Sequence, residues 1–126
     1  MSNDPRSTFI DQSQRRQRSL STPVPFSIDL GTSSTAIYTG LTGKFFLIRE
    51  ISVCNTTGGS LGLTITEVVN TWVNADPIGA NVTESIAGLS GILITDGEDL
   101  AGLGSGLGLT VFGWGLQIEG GDAWRL

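Results

Sequence analysis

Residues 44–69 read KFFLIREISVCNTTGGSLGLTITEVV, and the spacing of their apolar side chains decides the fold class. The stretch opens with four apolar residues, Phe45 to Ile48. It then alternates, with Arg49, Ile51 and Val53 on one face and Glu50, Ser52 and Cys54 on the other. A period of two marks a half-buried strand. Because Arg49 shares its parity with Ile51, the apolar face is expected to switch through a bulge near Arg49–Glu50. NTTGGS (55–60) is built from turn-forming residues and reads as a hairpin loop. LGLTITEVV then returns, with Leu61, Leu63 and Ile65 expected inward.

The same pattern extends in both directions. Upstream, FSIDL (26–30) alternates, and STAIYT (34–39) follows a Gly-Thr-Ser turn. Downstream come GILIT (91–95), the acidic DGED turn (96–99) and the glycine-rich LAGLGSGLGLTVFGWG (100–115). This last stretch reads as a turn feeding a final strand over about Leu107–Glu119. In that strand Leu107, Leu109 and Val111 share one parity, while Phe112, Trp114, Leu116 and Ile118 share the other. Such a switch calls for a bulge, with Gly113 a suitable site, or for burial on both faces. Gly113 and Gly115 leave one face bare, open to close approach by the core or by another subunit. Residues 70–90 read either as a long loop or as containing one short strand. Apolar residues nowhere recur with the helical period. Seven or eight short strands separated by turns predict an all-β chain, an antiparallel β-sandwich or jelly-roll-like domain.

The chain is expected to be one such domain over residues 26–126, preceded by an extended arm over residues 1–25. Its 126 residues suffice for one core. Only 15% are charged, against about 25% in ordinary globular chains, which implies a surface covered by something else. The net charge of −5 is unevenly divided. The arm carries Arg6, Arg15, Arg16 and Arg18 against Asp4 and Asp11, a balance of +2, and the remaining residues carry −7. A polar segment closed by Pro23 and Pro25 has no core of its own. Its expected role is contact with a neighbouring subunit through Arg6, Phe9, Ile10, Arg15, Arg16 and Arg18, with guanidinium groups meeting carboxylates. Nucleic acid is the less expected partner, because the body is acidic and aromatic residues do not interleave the arginines. No apolar run approaches the ~20 residues of a membrane span. The N-terminus also lacks a signal peptide's apolar core.

Chemistry finds little to work with. A dinucleotide fingerprint needs glycine where Leu107 or Leu109 stands, and a P-loop needs a lysine that the stretch lacks. DGED lacks the alternating ligands of a calcium loop. Histidine is absent, Cys54 is alone, and no base stands ready to activate a nucleophile. The expectation is therefore no catalysis, no cofactor and no metal. The sequons at Asn55 and Asn81 read as chance. Trp72, Trp114 and Trp124 are the candidate contact residues of the body, since tryptophan is favoured at interface hot spots. An alternative is a glycan- or ligand-binding module that uses Trp72 or Trp124 as a stacking platform.

The order of these features also resembles a known group. The unit YTGLTGKFFLIREISVCNTTGGSLGLTITEV leads through GILITDGEDL to GLTVFGWGLQIEGG. It is similar to the small β-sandwich virion proteins of tailed bacteriophages, found as capsid decoration (cement) proteins, head–tail junction components and tail components. The closing pattern of that group falls here on Ile94, Gly97, Asp99 and Leu100, then Gly115 and Ile118, with Glu98 standing as an insertion. The likeness covers about residues 38–120. It implies a non-enzymatic structural protein made in the host cytoplasm and carried in the virion. It also implies homo-oligomers, built through sheet edges and extended arms, that contact major capsid, portal, neck or tail proteins.

Overall fold

The computed structural model describes residues 21–68 and 70–119. They form nine strands and one short 3₁₀ turn, with no α-helix among them. The strands are β1 (Ser21–Leu30), β2 (Thr35–Thr39), β3 (Lys44–Asn55), β4 (Leu61–Glu67), β5 (Asn70–Ile78), β6 (Thr83–Ser85), β7 (Leu93–Ile94), β8 (Asp99–Gly104) and β9 (Leu109–Glu119). One sheet has the order β1-β9-β3-β6, with β7 also on β3, and the other the order β2-β8-β4-β5. All pairs are antiparallel. The chain is an all-β sandwich with the strand order of a jelly roll. β6 and β7 are two halves of one strand position, separated by the turn Ala87–Leu89.

The bulge expected near Arg49–Glu50 is present: the β3–β9 register shifts between Ile48 and Glu50. Ile48 and Ile51 on either side are fully buried, so Arg49 and Glu50 both lie on the exposed side. The break between β6 and β7 lies alongside, where the Ser90 hydroxyl donates to the Arg49 carbonyl at 2.8 Å. No register shift interrupts β9 opposite β1. Its two apolar parities instead serve two surfaces. Leu109 and Val111 are buried, and Phe112 and Trp114 are exposed.

Gly113 and Gly115 face inward. A Cβ at Gly115 would stand 2.5 Å from the Phe46 ring and 2.5 Å from the Leu47 carbonyl oxygen, and one at Gly113 would overlap the Glu50 carbonyl. The bare face of β9 thus lies against its own core. Phe46 uses the space, with its ring stacked on Tyr38 from the opposite sheet at 3.8 Å and edge-on to Phe26 at 6.1 Å.

Several expected boundaries differ. β1 begins at Ser21, so residues 21–25 belong to the sandwich rather than to the arm. This is possible because β1 is an edge strand, where Pro23 and Pro25 can turn their missing donors away from β9. NTTGGS does not close a hairpin. β3 and β4 lie in different sheets, and the loop carries the chain across the sandwich. Asn55 anchors this crossing while fully buried. Its Nδ2 donates to the carbonyls of Gly59 (2.8 Å) and Ile78 (3.0 Å), and its Oδ1 accepts from the backbone N–H (2.9 Å) and hydroxyl (2.7 Å) of Thr57. Residues 70–90 supply two strands rather than at most one. Their alternation is hidden by two register shifts against β4 and by Ala75 at φ 51°. Leu100–Gly104 lies within strand β8 rather than in a turn, and its Gly102 leaves room for Ile37 and Leu30.

Two substitutions test these points in urea titrations. Gly113→Ala should destabilise by about 1–3 kcal/mol or more, while Gly31→Ala, whose added methyl meets nothing within 4 Å, should stay within about 0.5 kcal/mol. Asn55→Ala strips partners from the buried Ile78 carbonyl and from the part-buried Gly59 carbonyl and Thr57 N–H, and should cost about 2–4 kcal/mol.

Candidate assembly surface

The outer face of the β1-β9-β3-β7 sheet is built from the second apolar parity of β9 and its neighbours. Phe112, Trp114, Leu116 and Ile118 project from β9. Cross-strand register sets Phe45 against Ile118 and Leu47 against Leu116. Pro23 lies against Leu116 and Pro25 against Trp114, and Leu93 of β7 lies against Leu47. One apolar row, Pro23–Leu116–Leu47–Leu93, therefore crosses four strands. Leu93 is 45% exposed, and Phe112 and Trp114 are each 38% exposed. An antiparallel sheet ordinarily turns polar residues outward on its solvent face. A contiguous apolar face of this kind is a candidate contact surface.

A groove of about 340 Å³ opens on this face, lined by Pro25, Phe26, Glu50, Ser52, Phe112 and Trp114. The Trp114 indole N–H donates to Glu50 at 3.3 Å, and Asp29 accepts from the Thr110 hydroxyl at 2.7 Å. The first of these bonds ties the Trp114 indole to the β3 bulge.

Of the residues singled out from sequence, Trp114 lies on this face. Trp72 is on β5, an edge strand of the other sheet, and is 46% exposed. The two tryptophans are thus not brought into one site. Arg6, Phe9, Ile10, Arg15, Arg16, Arg18 and Trp124 lie outside the described residues. Sequence reading missed Pro23, Pro25, Phe45, Leu47, Leu93 and Phe112 as surface partners of Trp114. The signal was available in the double apolar parity of β9 and the unbroken Phe45–Ile48 run.

Trp72 lines a second groove of about 330 Å³ with Val73, Asn74, Asp76, Ile86 and Leu89. Near it Glu67 is 5% exposed, with an Oε2 that has no hydrogen-bond partner among the described residues. Burial raises the Glu67 carboxyl above its ordinary value, the Glu98 charge adds to the rise, and the polar Trp72 side chain nearby opposes it. Glu98 itself folds back onto the backbone N–H of Thr95 at 3.0 Å, closing the DGED turn. Among the described residues no group of three or more His, Cys, Asp or Glu is placed to hold a metal ion. No helix among them is long and apolar enough to cross a membrane.

No family model matches the chain. No curated protein matches it either. Among solved structures it is similar to a protein of Bacillus endospore appendages, described as a novel family of disulfide-linked pili. That similarity has a TM-score of 0.39 and 11% identity, over 80% of this chain and 88% of the other.

The raised Glu67 carboxyl gives a signed prediction. Between its ordinary and raised values the folded state holds the extra proton, so stability falls as pH rises through that window. Glu67→Gln should remove this fall and raise the urea midpoint at neutral pH, with little change in acid below the ordinary carboxyl value. Denaturation midpoints of both proteins across the window check it.

Proposed function

We propose that this chain is a non-enzymatic structural protein of a virion, decorating or stabilising the capsid or linking head and tail parts through contacts of the sandwich and its arm. The apolar outer face of the β1-β9-β3-β7 sheet carries this reading. A sandwich that has already filled its core, with Phe46, Ile48, Ile51 and Val111 nearly inaccessible, has no internal use for a second apolar face. Covering that face with another molecule would gain roughly 25 cal/mol for each Å² buried. The sequence likeness to small phage virion proteins and the low charge fit the same role. The absence of histidine from the chain fits a role without acid–base chemistry.

The test is physical association with particles. An antibody raised against the chain should label intact virions, and the chain should co-sediment with them through a density gradient. Recovery of all the protein in the soluble fraction, with unlabelled particles, would overturn the proposal. Immunogold labels on the capsid shell, the neck or the tail would distinguish its three forms.

A further inference from the structure

We propose that the outer face of the β1-β9-β3-β7 sheet is covered by the same face of a second copy of this chain, in a two-fold dimer. The inference deepens the assembly role by naming the occupant of the surface.

The sheet edges are poor routes to association. β1 carries Pro23 and Pro25, which remove two donors from the edge of its sheet. β5 carries Pro77 and is bent by register shifts and a positive φ at Ala75. β6 and β7 are three and two residues long. β2 is five residues long and breaks register between Ala36 and Tyr38. What remains is the face.

That face is self-complementary. A two-fold axis running along the strands between β9 and β3 sets each residue of one copy opposite its own cross-strand partner in the other. Leu116 then meets the second copy's Leu47, and Ile118 meets its Phe45. Each Trp114 meets the exposed Arg49–Glu50 bulge, where a guanidinium can lie against the indole ring and the indole N–H has a carboxylate within reach. Stacked sheets pack about 10 Å apart with nearly aligned strands, which this arrangement satisfies.

Charge and reach also select a second copy. Residues 21–119 carry nine acids against Lys44 and Arg49, so two bodies repel each other. Residues 1–20 carry four arginines against two aspartates. They join the body at Ser21, opposite Ile118 at the margin of the apolar face. An approaching copy thus brings both an apolar face and the basic residues that its acidic partner lacks. The chain's own residues 1–20 are a poorer cover. Apart from proline, their large apolar side chains are Met1, Phe9, Ile10 and Leu20, against Phe45, Leu47, Leu93, Phe112, Trp114, Leu116 and Ile118 on the face. The face spans about 20 Å along the strands and about 15 Å across them, less than the roughly 800 Å² per partner of a standard stable interface. The contribution of residues 1–20 is therefore expected to be needed for tight association.

Sedimentation equilibrium of the full chain, of Leu93→Glu, of Phe112→Lys and of a form lacking residues 1–20 tests this. The full chain should be dimeric at about 10 µM, and each point variant should weaken the dimer at least tenfold while keeping the far-ultraviolet spectrum of a folded sheet. The shortened form should dimerise more weakly and gain affinity as salt screens its acidic bodies. A full chain that stays monomeric at about 100 µM overturns the proposal, as do folded point variants that dimerise with unchanged affinity. A monomeric full chain whose shortened form dimerises would assign the cover to the chain's own N-terminal residues, and also overturns it. A monomer that still co-sediments with virions would sink the dimer and leave the assembly role standing. A dimer absent from virions would do the reverse.

Discussion

The pairing of β3 with β9 is the constraint on which the rest of the structure depends. These are the two longest strands, and they lie side by side at the centre of one sheet. Their inward surfaces are unequal. β3 contributes Phe46, Ile48, Ile51 and Val53 along its length, whereas β9 contributes Leu109 and Val111 in its first half and then only glycine at 113 and 115. The Phe46 ring lies where a Gly115 side chain would be, and from there it reaches Tyr38 across the sandwich. Close packing of this kind leaves no room for a methyl group at either glycine. The bulk that β9 lacks inside is carried outside, by Phe112, Trp114, Leu116 and Ile118.

That displacement of apolar bulk from the inner to the outer surface links the fold to the proposed role. β9 is buried on one side by the core and presents a second apolar side to solvent, a pattern suited to a central layer. The sheet edges meanwhile are shortened, broken or occupied by proline. A sandwich with closed edges and one open apolar face can stack with limited risk of growing into an endless ribbon.

Much of this was legible in the residues. Alternation in FSIDL, STAIYT and LGLTITEVV located β1, β2 and β4, although β1 begins earlier, at Ser21, and β4 ends at Glu67, and the parity of Arg49 located the bulge. The crossing of NTTGGS between sheets was not legible, because a six-residue turn has the same composition whether it joins paired strands or opposite sheets. β5 was obscured for a different reason. Its bend at Ala75 and its shifted register against β4 destroy the simple period that a flat strand would show. Leu100–Gly104 was hidden because Gly102, which makes room for Ile37 and Leu30, and Gly104, which lies against Leu109, look locally like a turn. As for the surface, Trp114 could be singled out by residue type. Its neighbours Pro23, Leu47 and Leu93 come from three other strands, and only the register brings them together.

The sandwich also dictates when the chain can fold. β4 and β5 are the only consecutive strands among the described residues that pair within one sheet; elsewhere successive strands enter different sheets or share β3. Local zippering can therefore build one hairpin and little else, which places folding in the slow, topology-limited range of all-β domains. β1 and β3 are joined to each other only through β9. On the ribosome, the strands of the β2-β8-β4-β5 sheet are all made before Leu109–Glu119 emerges, while β1 and β3 still lack the strand that lies between them. Only then do both long strands acquire the partner that closes their sheet.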